Sequence, residues 1–261
     1  MPRVSQLVVY PIKSMGGAVL DRSEVGPRGL LHDRRWMLVD EDDRFMTQRV
    51  IAKMCLFRAS FDEHHLRVRV GEQSVVLPLI PQKEPLRVTV WKSECDAVRV
   101  SDEADAWFSE KMGADVRLVY MPDDSIRPTH PDYTLPGDHV GFADAFPVLV
   151  ASLASLEDLN SRLEAPLPMD RFRANIILED CRAFEEDEWP LIEIGDVRFR
   201  AAKQCGRCLV TTTNQETAEV GTEPLRTLAK YRQQDKAVVF GNYFVPETNG
   251  HISVGDIVRI G

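Results

Sequence analysis

Apolar and polar positions alternate in short runs through the first hundred residues, as in Leu66-Arg67-Val68-Arg69-Val70. A period of two puts the apolar side chains on one face of a strand and the charged ones on the other, the pattern of a half-buried antiparallel sheet. Such runs predict strands over 7–12, 35–39, 55–60, 66–70, 75–79 and 86–91, with Asp40-Glu41-Asp42-Asp43 as a turn between two of them. Ser101 can cap a helix over 102–112, whose first turn carries acids and whose end is marked by Gly113; strand character resumes over 116–120.

Residues 122–138 place Pro122, Pro128, Pro131 and Pro136 among Asp, Ser, Thr and Gly, which suits neither helix nor sheet. The chain is therefore expected to divide into domains of 1–121 and 122–261, with this stretch as a crossing or as a loop over a site. Beyond it, 146–150 reads as a buried strand, and Leu153, Leu156, Leu159 and Leu163 fall on one face of a helix capped near Ser152. Further strands are predicted over 173–178, 191–194, 197–201, 209–213, 238–245 and 257–260, with Pro224 opening a short helix that carries Leu225 and Leu228. The expected fold class is mainly β with a few helices, α+β overall, the second half resembling a barrel.

Composition narrows the functional classes. Hydrophobic residues at 44% and charged residues at 28% sit near soluble globular averages, which excludes a disordered or fibrous chain. The net charge of −9 argues against a general binder of nucleic acid or acidic membrane, so any basic cluster must be local. Met1-Pro2-Arg3 leads straight into strand-like sequence without a signal-peptide pattern, and no apolar run approaches the roughly 18 to 20 residues that span a bilayer. A soluble, cytoplasmic protein with no membrane or nucleic-acid partner is the expectation. Five cysteines do not make a secreted disulfide framework, and only Cys205 and Cys208 lie close together.

The densest chemistry is in Lys203-Gln-Cys-Gly-Arg-Cys-Leu-Val-Thr-Thr-Thr213, where two thiols, two cations and a glycine share six positions. Structural zinc needs four ligands, and no second pair stands at the usual spacing. A thioredoxin-type pair opens a helix, whereas the β-branched run after Cys208 predicts a strand. Two buried structural cysteines remain an alternative to a metal-binding thiolate favoured by Arg207 and Lys203. Elsewhere Lys13-Ser14, Arg34-Arg35, Arg171 and Arg173 stand at predicted strand ends beside apolar residues, where a barrel could converge them on one anion such as a phosphate. His32 beside Asp33 could orient a base or serve a structural role. No P-loop, His-Glu-x-x-His, Gly-x-Ser-x-Gly or Gly-x-Gly-x-x-Gly pattern occurs.

Five motifs in register carry a resemblance that spans essentially the whole chain: Tyr10-Pro11-Ile12-Lys13-Ser14, His32-Asp33-Arg34-Arg35-Trp36, Phe172-Arg173-Ala174-Asn175-Ile176, Cys205-Gly206-Arg207-Cys208 and Phe240-Gly241-Asn242-Tyr243-Phe244. The chain resembles MOSC-domain proteins with the associated N-terminal β-barrel domain, the family of the mitochondrial amidoxime-reducing component and its bacterial relatives. The resemblance implies an N-terminal β-barrel-like domain followed by a MOSC β-barrel domain, and a molybdenum cofactor (Mo-molybdopterin) whose metal takes Cys208 as protein ligand. Lys13, Ser14, Arg34, Arg173, Asn175, Gly206, Arg207 and Tyr243 match positions that hold the pterin and its phosphate. Asp144 matches an acidic position near the metal, which implies a proton relay or water-positioning group or, alternatively, a loop-end carboxylate.

The implied reaction is a two-electron reduction of small N-hydroxylated compounds such as amidoximes or hydroxylamines. Two other readings are a sulfurtransferase carrying a Cys208 persulfide and a non-catalytic cofactor binder. Gly206 stands where relatives commonly have Ser or Thr, so a hydroxyl contact is lost. The membrane anchor of the mitochondrial proteins and the ferredoxin module of some longer relatives are absent from the sequence, so electrons are expected from a separate ferredoxin- or cytochrome-like donor with its reductase.

Overall fold

The computed structural model describes residues 1–81 and 83–261, and within them strands dominate, with three α-helices. The largest sheet has nine strands. Its path runs Val258–Ile260, Leu191–Ile194, Val197–Gly206, Ala237–Pro246, Val148–Ser152, Ile176–Glu179, Arg3–Val9 and Ala18–Leu20, and Gln233–Gln234 pairs beside Ala237–Pro246. Its one parallel pair, Val148–Ser152 with Ile176–Glu179, is joined through the helix Leu153–Asn160, the crossover that parallel neighbours require. As expected, Ser152 caps that helix, its hydroxyl accepting from the Ser155 amide.

The first half adds a four-stranded sheet, in the order Trp36–Val39, Arg117–Tyr120, Ser93–Arg99 and Pro85–Val90, and a three-stranded one, Arg58–Phe61, His65–Val70 and Gln73–Pro78. Between them packs the helix Asp102–Met112, held as predicted by the Ser101 hydroxyl at its start and by Gly113 at φ 67 after its end. Trp36, Phe57, Phe108 and Leu77 share the core beneath it. A second core fills one side of the nine-stranded sheet, and a third, containing Phe172 stacked on Phe240 at 3.9 Å between ring centroids, fills the other. That third core carries Cys205.

Two segments depart from the sequence reading. The stretch 209–213 is not a strand: Leu209–Thr212 forms a 3-10 helix with Cys208 at its N-terminal end. The Thr211 hydroxyl donates to the Cys208 carbonyl at 2.9 Å and the Thr212 hydroxyl to the Leu209 carbonyl at 2.8 Å, so local side-chain bonds displace the sheet ladder that β-branching favours. The strand character lies before Cys208, in Val197–Gly206, which carries Cys205 near its end. The second departure is at 55–60, where a 3-10 turn, Ala52–Leu56, precedes the strand Arg58–Phe61.

The nine-stranded sheet also crosses residue 121. Arg3–Val9 pairs with Ile176–Glu179, and Arg22–Gly26 pairs with Gly250–Ser253, so two strands within the first 26 residues are hydrogen-bonded to strands of the second half.

Candidate active site

The ten residues that the resemblance implies for the site line one cavity of about 680 Å³: Lys13, Ser14, Arg34, Asp144, Arg173, Asn175, Gly206, Arg207, Cys208 and Tyr243. Arg35 and Arg171, also expected to converge on an anion, do not line it and instead bond Asp123 and the Thr211 carbonyl. It lies where the turn after Arg3–Val9, the loop before Trp36–Val39 and the approach to Ile176–Glu179 meet the end of Val197–Gly206. Ser14, Arg34 and Arg173 all have positive φ, at 67, 46 and 56°. Non-glycine residues in the left-handed region persist only where surrounding contacts over-determine them, and such positions cluster at functional sites.

Asp33 is the anchor of this wall. Its buried carboxylate accepts from the Tyr10 amide at 2.8 Å, from Arg34 Nη1 at 2.6 Å and from Asn175 Nδ2 at 3.0 Å. Arg34 also donates to the Arg173 carbonyl, and both guanidiniums lie over the Tyr10 ring, 4.4 and 4.2 Å from its centroid. Burial and the proximity of Arg34 bring Arg173 down to about 10. Asp33 pairs with Arg34, whereas Arg173 has no carboxylate partner among the described residues, so its buried charge is the one left to be neutralised. The Asn175 side chain is taken up by Val8, Leu149, Asp33 and Arg34, so it fixes the wall.

The two cysteines of the cavity differ. Cys205 is buried at 2% exposure and receives Arg207 Nη1 at 2.7 Å; burial pushes its thiol up against the pull of Arg207. Arg207 Nη2 donates to the Phe172 carbonyl, while its Nε is buried without an acceptor among the described residues. Cys208 is half-buried, and its sulfur accepts from Arg49 Nη2 at 3.3 Å. Gly206 between them has open space: an added Cβ would meet only the Ala237 Cβ, at 3.4 Å.

Asp144 joins the halves of the site. Lys13 Nζ donates to its Oδ1 at 2.5 Å, Arg49 Nη2 to Oδ2 at 2.9 Å and Trp91 Nε1 to Oδ1 at 3.2 Å. Burial works to raise its carboxyl, but Lys13 and Arg49 outweigh it and hold Asp144 well below the usual carboxylate range. Burial brings Lys13 down to about 8, against the opposing pull of Asp144. Arg127, in the proline-rich stretch, fixes the loop that carries Asp144 by donating to the Gly141 and Ala143 carbonyls at 2.8 and 2.7 Å.

Four contributors were not legible in the sequence as site residues: the anchor Asp33, the loop-holding Arg127, and Arg49 and Trp91 from the first half. Arg49 stands alone in Thr-Gln-Arg-Val with no motif around it, and Trp91 has only its place at the end of a predicted strand as a signal. His32, considered as a base-orienting group, stacks on Phe61 at 5.1 Å and is not among the cavity-lining residues. Among the described residues no three His, Cys, Asp or Glu side chains converge as metal ligands, and no helix is long and apolar enough to cross a membrane.

Comparison with known proteins assigns the chain. The family model of the MOSC N-terminal beta barrel domain matches residues 1–115, and that of the MOSC domain matches 137–259. Human mitochondrial amidoxime-reducing component 1 is 34% identical over 280 residues, which covers 98% of this chain and 82% of that protein. The Xenopus laevis component 1 and the Bos taurus component 2 are each 32% identical over 98% of the chain and 81% and 82% of their own lengths. Among solved structures, the YuaD protein from Bacillus subtilis covers 99% of the chain and 94% of its own at 10% identity with a TM-score of 0.44, a distant likeness. With both family models matched in order and relatives aligned along nearly its whole length, the chain belongs to the MOSC-domain family with an N-terminal MOSC β-barrel domain.

Proposed function

We propose that this protein is a molybdenum-cofactor-dependent oxidoreductase that reduces N-hydroxylated compounds, amidoximes and hydroxylamines, by two electrons. The observation that carries the reading is the convergence of a half-buried Cys208 with Lys13, Arg34, Arg173 and Arg207 in one cavity of an otherwise acidic chain. It is supported by the relatives, which are named amidoxime-reducing components.

The residues fit an anionic pterin with a soft-metal centre. Arg207 Nε is a buried donor without an acceptor, and Arg173, which meets the Tyr10 ring as Arg34 does, has no carboxylate partner among the described residues, a charge that a phosphate would neutralise. Ser14 adds a hydroxyl from a left-handed turn, Gly206 leaves room for close approach, and Tyr243 lines the same cavity. A single protein thiolate, Cys208, suits a metal whose other ligands come from a dithiolene rather than from the chain.

When bound, the cofactor supplies the electron pair that breaks the N–O bond. The balance is one N-hydroxylated substrate, two electrons and two protons in, and one reduced amine or amidine and one water out. Asp144, held ionised, accepts hydrogen bonds and orients substrate or water rather than donating a proton. The proton source in the wall is Lys13, whose ammonium touches Asp144 and is brought down to about 8. Electrons reach the site from a separate ferredoxin- or cytochrome-like donor with its reductase.

The test is molybdenum and pterin analysis of protein made in a host that synthesises the cofactor. Wild type is expected to carry stoichiometric molybdenum and Cys208→Ala little. Equal metal in both would remove Cys208 as ligand, and a stable extra sulfur on Cys208 without pterin would replace the reading with sulfur transfer.

A further inference from the structure

Arg49 is held beside the Cys208 sulfur by three partners from separate parts of the chain. Its Nη2 reaches Cys208 Sγ at 3.3 Å and Asp144 Oδ2 at 2.9 Å, and its guanidinium lies 4.6 Å from the centre of the Trp91 ring. Trp91 is itself fixed at the tip of the hairpin Pro85–Val90 and Ser93–Arg99, where it packs on Phe45 at 4.6 Å and donates Nε1 to Asp144. The loop that carries Arg49 is tied to the same wall by Gln48, which donates to the Ser14 carbonyl.

A guanidinium offers five N–H donors in a rigid fork. Among the described residues, Arg49 reaches its protein acceptors through Nη2 alone; Nε and Nη1 have none and are not buried, and the side chain keeps 24% of its surface exposed. Neutralising Asp144 does not account for Arg49, because the buried Lys13 already pairs with that carboxylate at 2.5 Å. What remains is a pinned cation that lines the cavity beside the sulfur and has spare, unburied donors.

Resting on the N-reductive reading of the site, we propose that Arg49 is its substrate-positioning residue. Its free N–H groups receive the oxygen of the N-hydroxyl group, or an anionic oxygen on the substrate, and hold it against Cys208, while Trp91 and Asp144 fix the plane of the guanidinium.

Two measurements test this. In cofactor-free protein, Cys208 is alkylated in parallel with iodoacetate and iodoacetamide at one pH and followed by peptide mass spectrometry. Both reagents attack the same sulfur, so the ratio of their rates cancels the thiol's exposure and ionisation and reports the positive charge that receives an anion there. Arg49→Met is expected to lower the ratio about fivefold, the effect of removing one charge a few ångströms away in a solvated site, and Arg49→Lys to keep it within about twofold. Should Arg49→Met fail to fold, Trp91→Ala unpins the guanidinium and is expected to lower the ratio about twofold. In molybdenum-loaded protein, Arg49→Met is expected to raise KM for benzamidoxime about tenfold, with a smaller change in kcat and unchanged molybdenum content. An unchanged ratio or an unchanged KM overturns the proposal. A wild type without molybdenum defeats the N-reductive reading instead, and the alkylation ratio still decides whether Arg49 receives an anion.

Discussion

Cys205 and Cys208 stand three positions apart and have different surroundings. The first is packed with Phe172 and Phe240 and saturated by Arg207; the second faces the cavity beside Arg49. Spacing alone left a symmetrical pair; the family resemblance pointed to Cys208, and in the structure burial distinguishes the two. Cys205→Ala is expected to retain molybdenum and to lose stability by about 1–2 kcal/mol from the buried sulfur, as read by metal analysis and by denaturant unfolding. Lys13 carries a second test at this scale. Its folded pKa near 8 lies below the ordinary 10.5, so between those values the unfolded chain binds more protons than the folded one. Wild type should therefore gain stability relative to Lys13→Met as pH rises from about 8 to about 10.5. An NMR titration of the Lys13 ammonium with a midpoint at the ordinary lysine value would contradict the burial that lowers it. The five motifs made the individual cations legible, whereas Arg49 and Trp91 act through contacts between residues distant in sequence, for which no local pattern exists.

At the scale of elements, the strands legible in the sequence are those whose alternation comes from one buried and one exposed face. His65–Val70 and Gln73–Pro78 are of this kind. Leu209–Thr212 escaped because threonine favours a strand by its branching and a turn by its hydroxyl, and the choice rests on which carbonyl the hydroxyl can reach. Gly241 interrupts Ala237–Pro246 for a steric reason that the motif alone did not disclose. Its φ is +74, and a Cβ there would sit 2.7 Å from the Val150 carbonyl oxygen. Gly241→Ala is expected to cost about 1–3 kcal/mol in urea unfolding. Gly206→Ser, with its nearest neighbour at 3.4 Å, is expected to fold with stability within about 0.5 kcal/mol of wild type.

Across the whole molecule, fold class was legible because strand periodicity dominates the sequence, but sheet membership was not, since it depends on pairing between distant segments. Arg3–Val9 sits inside the sheet of the second half, with Val4, Leu7 and Val9 in its core. A fragment beginning at Pro122 is therefore expected to lack a cooperative thermal transition, because that core loses an interior strand; a sharp melt of the fragment would contradict this. The same crossing of the halves sets Asp144 against Arg49 and Trp91, so the cavity has walls from both. The measurement that bears most directly on the proposed activity is turnover of benzamidoxime by molybdenum-loaded protein with a chemical reductant, which needs no donor protein. Conversion to benzamidine by wild type and its loss in Cys208→Ala is the predicted result. Fully loaded wild type that leaves benzamidoxime unchanged, or Cys208→Ala that reduces it equally well, would contradict the account.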